Sequence, residues 1–304
     1  MIDVLTLGET MASVASELRA PLETAPRFTL GAAGAESNVA QYLAERGHSA
    51  AWAGIVGDDP LGRRLSGELG RCGVDLSFMA VDPAAPTGVM FKDPGAGSTR
   101  VHYYRANSAA SRMGPEMAEV LPWRRTRFLH LSGITPSLSF STKALMHALF
   151  ARAELERVPV SFDVNFRPAL WPKGEAAPVL LEFARRAALV FVGLDEAQSL
   201  WPGVETAADV RALVGGRGRL VVKDGAVGAT EFEGQQSAFV PAAAVEVVEA
   251  VGAGDAFAAG YLSAVLDGGG PAGRLGRGHE FAGRALASTS DFQPIAERSE
   301  CNGR

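Results

Sequence analysis

Cysteine is nearly absent from this 304-residue chain: Cys72 and Cys301 are the only two, far apart, so neither a disulfide framework nor a Cys-rich zinc site can be built. The five histidines (His48, His102, His130, His147 and His279) show no metal-ligand spacing, and His279-Glu280 lacks the second histidine of a zincin. Each reads as a structural or surface histidine. Lysine is scarce too. None of the four (Lys92, Lys143, Lys173 and Lys223) follows a glycine, which excludes a Walker A phosphate loop. No run of about 18 apolar residues occurs, so no bilayer span is expected. Positive charge is not in excess: 29 basic side chains face 34 acidic ones, a formal net charge of −5, which argues against a nucleic-acid-coating protein. Local arginines could still hold a small anion. The opening Met1–Gly8 reads as a strand with no basic and apolar leader before it. The expectation is a reduced, cytoplasmic protein with small-molecule ligands and neither nucleic acid nor membrane as partner.

Hydrophobic residues make up 47% and charged ones 21%, enough to bury a core and to exclude general disorder. The length suits a single α/β domain over residues 1–304. Apolar runs at Val4–Leu7, Ala50–Val56, Phe128–Leu131, Val158–Phe162, Leu189–Val192 and Leu220–Lys223 read as strands covered on both faces. Between them, Glu36–Arg46, Leu61–Arg71, Ser141–Glu156, Ala176–Ala187 and Ala207–Leu213 carry helical patterns. This alternation predicts a central, mostly parallel sheet with helices on both faces. Two stretches, at about 12–30 and 87–105, break the rhythm and read as extended insertions forming a small β-flap lid, with turns at Pro94-Gly95-Ala96-Gly97. Arg124, Arg125 and Arg127 read as a solvated loop, and the polar tail from Phe292 to Arg304 as frayed.

The strongest chemical signal is Gly252-Ala253-Gly254-Asp255-Ala256-Phe257. Glycines that follow a strand and open a helix present bare backbone N–H groups at the positive end of the helix dipole, an anion site. Asp255 could be an ordinary capping carboxylate. Beside a phosphate-binding turn it could instead take the proton from an attacking hydroxyl. Phe257 stands where a dinucleotide fingerprint needs its third glycine. A second glycine-rich helix start, Gly31-Ala32-Ala33-Gly34-Ala35-Glu36-Ser37-Asn38, is weak alone, although Asn38 offers both donor and acceptor groups.

Taken in order, Gly34-Ala35-Glu36-Ser37-Asn38, Gly57-Asp58 through Gly62, and Gly252-Ala253-Gly254-Asp255 resemble the two signatures of the ribokinase-like (PfkB) carbohydrate kinases over essentially the whole chain. The resemblance implies a ribokinase-like fold and phosphate transfer from ATP with Mg²⁺ to a hydroxymethyl group. It makes Asp255 the catalytic base and the amides of Gly252, Ala253 and Gly254 the anion hole. Lys223, Gly225 and Gly228 would line the nucleotide, and Glu196 would organise the metal. A homodimer through the lid is a further implication.

The segments around Tyr103-Tyr104-Arg105 and Asp163-Val164-Asn165-Phe166-Arg167, with Phe128–Pro136, resemble the branch acting on 2-keto-3-deoxygluconate at its C6 hydroxyl. Two arginines, Arg105 and Arg167, suit a carboxylate, which a guanidinium fork can pair bidentately. Tyr103 would bond the sugar acid from the lid, with Gly34 and Asn38 at the sugar's other side. Fructose, another ketose or a nucleoside is the alternative substrate, and a non-catalytic sugar-binding regulator the alternative class. The match departs at Gly193 (an Asn in the metal-associated motif), at Glu249-Ala250 (Asp-Thr near a monovalent-cation site), at Ala33 (one of a glycine pair) and at Glu280 (an Asn near the adenine).

Overall fold

The apolar runs become the inner strands of a nine-stranded sheet in the computed structural model, which describes residues 1–95, 99–215 and 218–294. In chain order the strands are β1 (Ile2–Leu7), β2 (Met11–Ser16), β3 (Phe28–Ala33), β4 (Ala50–Gly57), β5 (Asp75–Asp82), β6 (Val89–Pro94), β7 (Thr99–Tyr104), β8 (Thr126–Ser132), β9 (Val160–Asp163), β10 (Leu189–Gly193), β11 (Arg219–Asp224), β12 (Gly228–Glu233) and β13 (Gln236–Pro241). The helices are α1 (Ala35–Glu45), α2 (Pro60–Arg71), α3 (Met117–Val120), α4 (Phe140–Glu156), α5 (Ala176–Arg186), α6 (Leu194–Leu200), α7 (Ala207–Val214), α8 (Ala253–Leu266) and α9 (Pro271–Leu286).

The large sheet runs β13-β12-β11-β10-β9-β8-β1-β4-β5. Its pairs from β11 to β5 are parallel, and the β12-β13 hairpin closes one edge antiparallel. Helices cover both faces, which is why the inner strands are apolar throughout rather than alternating. On one face Tyr42 of α1, Tyr261 of α8 and Phe281 of α9 pack over Trp52 and Phe191. On the other, Leu145, Leu149 and Phe150 of α4 and Phe183 of α5 pack over Leu129 and Phe162. The strand order reverses at β1, with β4 and β8 on opposite sides. Such a switch point opens a crevice at the carboxyl ends of the strands, where ligands of open α/β sheets bind.

The extended stretches form a second sheet, β3-β2-β6-β7. Met11, Ala33 and Met90 make its small core, with Val101 and Tyr103 packed against them. Its Met11, Met90 and Tyr103 line the same cleft as Ile134 after β8 and Asn165 after β9, so this sheet roofs the crevice.

Six elements lie outside those expected from sequence: β5, β12, β13, α3, α6 and α9. β5 is largely exposed along its length, and α9 contains Gly273, Gly276, Gly278 and Gly283, poor helix formers. Some of that glycine serves packing. A Cβ on Gly278 would lie 2.8 Å from the Phe257 ring, and one on Gly260 would strike the Arg277 carbonyl, so α8 and α9 approach too closely for side chains there. Arg127 is not in a loop: it lies in β8, its Nη1 2.8 Å from Asp3. Nor does the tail fray at once. Phe292 packs edge-on against Tyr42 with ring centroids 4.8 Å apart, and the Gln293 amide donates to the Tyr42 hydroxyl at 3.1 Å. The rest of that tail, and the turn expected at Ala96-Gly97, lie outside the described residues. Among the described residues no helix is long and apolar enough to cross a membrane.

One buried ion pair ties α9 to the hairpin edge. The Arg274 guanidinium binds the Glu231 carboxylate with two N–H groups, Nε to Oε2 at 3.1 Å, and the Tyr261 hydroxyl donates to the same carboxylate at 2.8 Å. Both charges are almost fully buried, and Arg274 also reaches Glu233 Oε2 at 3.2 Å, so removing Arg274 leaves the Glu231 carboxylate with only the Tyr261 hydroxyl. Arg274→Ala should lower stability by about 3–5 kcal/mol in urea unfolding, and replacing both residues with apolar ones should recover much of it. A loss under about 1 kcal/mol would show the pair to be dispensable.

Candidate active site

The loops after β1, β8, β9, β10 and β11 and the start of α8 converge on the crevice. Asp255 sits in the first turn of α8, whose N-cap Gly252 has φ 88°, a left-handed conformation that favours glycine. The amides of Gly252 and Gly254 have no backbone acceptor among the described residues, whereas that of Ala253 donates to Ala250 O at 3.3 Å. Of the three amides expected to form an anion turn, those of Gly252 and Gly254 have no backbone acceptor, and that of Ala253 is partly engaged elsewhere.

Two amides hold the Asp255 carboxylate. Asn38 Nδ2 donates to Oδ2 at 2.8 Å and Asn165 Nδ2 to Oδ1 at 3.2 Å. Asn38 comes from α1, which starts at the glycine-rich turn. Asn165 follows β9 with φ 40°, a strained position that Asn tolerates better than most residues. The carbonyl oxygens of both, Asn38 Oδ1 and Asn165 Oδ1, are buried without a hydrogen-bond partner. They are free acceptors beside the carboxylate. Asp255 itself is 8% exposed, and burial is the main reason its pKa is pushed up to about 7, helped by the charges of Asp163 and Asp291 and opposed by the Asn38 bond and by Arg167.

Around it the other charges are paired. Lys223 Nζ lies 3.0 Å from Asp163 Oδ2. Burial alone would lower the Lys223 pKa, but Asp163 and Glu196 together raise it, so the ammonium is held charged. Arg105 forms a buried ion pair with Glu9, a residue given no role from sequence, and Glu9 also accepts from Ser108 Oγ at 2.6 Å. Arg105 still has its Nε–H buried without a partner, and its guanidinium lies 5.5 Å from the Tyr103 ring centre. Arg167 is looser, donating to Phe166 O at 3.1 Å with Nη1 3.6 Å from Glu196 Oε1. Glu196 accepts the Gly193 amide at 3.2 Å, and burial raises its pKa against the pull of Lys223. His130, buried against Ser161, is pushed down by burial to about 4 and stays neutral.

Two cavities meet at Arg167. The roofed one is lined by Gly34, Asn38, Tyr103, Arg105, Arg167, Gly252 and Asp255, which brings together every residue expected at the sugar, with Asp291 as an unexpected member. The open groove beyond holds Glu196, Lys223, Gly225, Gly228 and Gly254, with Val245, His279, Ala282 and Leu286 as walls. Glu280 is exposed and absent from that wall; His279, expected to be merely structural, lines it, edge-on to Phe257 with centroids 5.2 Å apart. One turn of α9 thus presents His279 where a reading from neighbouring residues names Glu280.

The profile of the pfkB family carbohydrate kinases matches residues 1–296. The chain is 32% identical over 305 residues to 2-dehydro-3-deoxygluconokinase of Bacillus subtilis (strain 168), covering 98% of this chain and 94% of that one. It is 34% identical over 276 residues to 2-dehydro-3-deoxygluconokinase of Thermoproteus tenax, covering 88% and 83%. The crystal structure of 2-dehydro-3-deoxygluconokinase from Thermotoga maritima superposes with TM-score 0.85 at 25% identity, covering 96% of each chain.

The raised pKa of Asp255 makes a stability prediction independent of activity. Between pH 3.8 and about 7 the folded protein keeps a proton that the unfolded chain has lost, so this residue's contribution to stability falls as pH rises through that window. Comparing urea unfolding of wild type with Asp255→Asn, the variant should gain relative stability, by a few kcal/mol at most, as pH goes from about 4 to 7. A difference that does not change with pH would mean that the carboxylate is ionised at its ordinary pKa.

Proposed function

Because the chain belongs to the pfkB family of carbohydrate kinases, we propose that it transfers the γ-phosphoryl group of ATP to the C6 hydroxyl of 2-keto-3-deoxygluconate (2-dehydro-3-deoxygluconate). The single observation carrying this is the position of Asp255: a buried carboxylate with a pKa of about 7, in the first turn of α8 and lining the roofed cavity beside the amides of Gly252 and Gly254. Asn38 and Asn165 aim the carboxylate, and a sugar hydroxyl placed against it loses its proton to Asp255 as its oxygen attacks phosphorus. The O6–P bond forms, the bond to the β-phosphate oxygen breaks, and ADP leaves along the open groove. Gly252, Gly254 and the positive end of the α8 dipole stabilise the charge on the transferring group. Lys223, with Nζ 3.4 Å from where a Gly254 Cβ would lie, adds a fixed positive charge beside that turn.

The described residues contain no cluster of three or more His, Cys, Asp or Glu able to cage a metal. That fits Mg²⁺ arriving with the triphosphate and keeping phosphate and water oxygens as its main ligands, with Glu196 as the protein group facing it. Held there by Glu196, such an ion would supply neutralisation of negative charge on the phosphates. The walls of Val245, Ala282 and Leu286 suit the adenine. The half-buried thiol of Cys72 suits a reducing, cytoplasmic setting, and the exposed Phe28 and Tyr104 of the lid suit a dimer formed through it.

The activity for which the relatives are named favours the acid sugar, and the cavity has the chemistry for it. The Arg105 charge is offset by Glu9, so a substrate carboxylate would draw on the Arg105 Nε–H for direction and on Arg167 for charge. ADP release measured across acid and neutral sugars tests the reading. 2-Keto-3-deoxygluconate should give the highest kcat/KM, and a preference for fructose or a nucleoside would overturn it. Arg167→Ala should raise KM for the acid sugar at least about tenfold more than for a neutral one; equal losses would remove the carboxylate role.

Asp255→Asn should cost about 10²-fold or more in kcat while sugar binding, followed by thermal shift, largely survives. In the wild type, kcat/KM should fall with decreasing pH below about 7, as the base becomes protonated. A flat profile from pH 5 to 8, or near-normal turnover in the Asn variant, would exclude Asp255 as the base.

A further inference from the structure

Lys92 is the least expected of the buried charges. It lies in lid strand β6, two residues beyond Met90 on the face turned to the cleft, and is 2% exposed. Its ammonium reaches out of the lid to the segment after α9, donating to Thr289 O at 3.0 Å and pairing with the Asp291 carboxylate. Asp291 also lines the sugar cavity. Its main chain is pressed against the anion turn, since a Cβ on Gly252 would lie 2.8 Å from Asp291 O. A second link runs alongside. Thr99, in strand β7 of the same lid, donates to Glu249 Oε2 at 2.6 Å, and Glu249 Oε1 accepts the amides of Ala250 and Val251 at 2.9 and 3.3 Å. The two segments flanking Gly252, residues 249–251 and 289–291, are thus each held by the lid.

We infer that Lys92 is a positioning residue for phosphoryl transfer: its ammonium neutralises the Asp291 carboxylate and couples the lid to the anion turn at Gly252–Gly254. The consequence is a link between the two substrates. Tyr103 and Arg105 in the lid face the sugar, Lys92 and Thr99 grip the two segments beside the phosphate turn, and a lid drawn down by sugar sets the amides for ATP. Without the ammonium, the buried Asp291 carboxylate, already repelled by Glu249, is left without its cation beside the site of a transferring anion, where added negative charge repels it. A small free ammonium ion would restore the charge but not the tether.

This inference rests on the kinase reading above, and wild type assayed in parallel separates the two: a wild type without ADP release sinks that reading. With an active wild type, Lys92→Ala and Lys92→Met should each lower kcat about tenfold or more, with KM for the sugar changing less than about threefold. Methylammonium or ammonium chloride should recover several-fold of the loss in the Ala variant. Tetramethylammonium, too large for the space, should not, and the Met variant, whose side chain fills the space, should not respond. Should the Ala variant fail to fold, the kcat of the Met variant decides. Wild-type kcat in the folded variants, an Ala-variant loss that no small ammonium ion relieves, or equal recovery in Ala and Met would each overturn the proposal.

Discussion

A buried carboxylate that is held but not neutralised governs this molecule. Asp255 is removed from water, which disfavours its charge, yet its direct contacts are two neutral amide groups and no cation. Nearby charges are paired off: Glu9 with Arg105, Asp163 with Lys223, Asp291 with Lys92, and Glu196 loosely with Arg167. The pairing matters more than any single member. An unpaired cation in contact with Asp255 would pull its pKa down towards that of an ordinary salt-bridged aspartate and make it a feeble base. With those four cations engaged by other carboxylates, burial keeps the proton affinity of Asp255 near neutrality.

The fold supplies this arrangement through where its strands end. Parallel strands send their carboxyl ends to one side, so the ends of β1, β8, β9, β10 and β11 and the segments that follow them bring Glu9, Ile134, Asn165, Glu196 and Lys223 to the same crevice although they are far apart in sequence. α8 must then point its N-terminus at that crevice, and the close glycine-mediated packing of α8 on α9 fixes its direction. The Arg274–Glu231 pair fastens α9 to the sheet edge. Core packing on one side of the molecule thereby decides where a helix dipole points on the other.

This explains what the sequence reveals and what it hides. A helix N-terminus is a local object: glycines, a small residue and an acid within four positions describe it, so Gly252, Gly254 and Asp255 are legible in the primary structure. The alternation of inner strands and helices is equally local. Asn165 stands inside the motif that picks out Arg167, but its role depends on a left-handed backbone turn and on a partner on α8, neither visible in the pattern. Arg105 is readable as a cation near a sugar, yet the Glu9 that offsets it comes from another strand end. Lys92 looks only like a lysine that is not in a phosphate loop. The exposed strand β5 and the glycine-rich α9 are hidden for a different reason, because their periodicity is weak and tertiary contact supplies their stability.

The departures from the family pattern follow the same logic of contact over identity. Gly193 has no side-chain amide to offer, but its backbone N–H donates to Glu196 at 3.2 Å, so the carboxylate keeps an orienting bond while the groove gains room. Glu249 replaces a shorter acid, and its extra methylene lets one oxygen bind Thr99 in the lid while the other takes two backbone amides. Ala33 is buried against Met11 and Met90, so its methyl group is absorbed into the lid core, at the cost of some width at the edge of the sugar cavity. At Gly193 and Glu249 the orienting bonds seen here run between a carboxylate and backbone amides. Reactions that depend on placement and charge more than on covalent participation tolerate such exchanges, because an orienting bond from the backbone acts on the reacting atoms as well as one from a side chain.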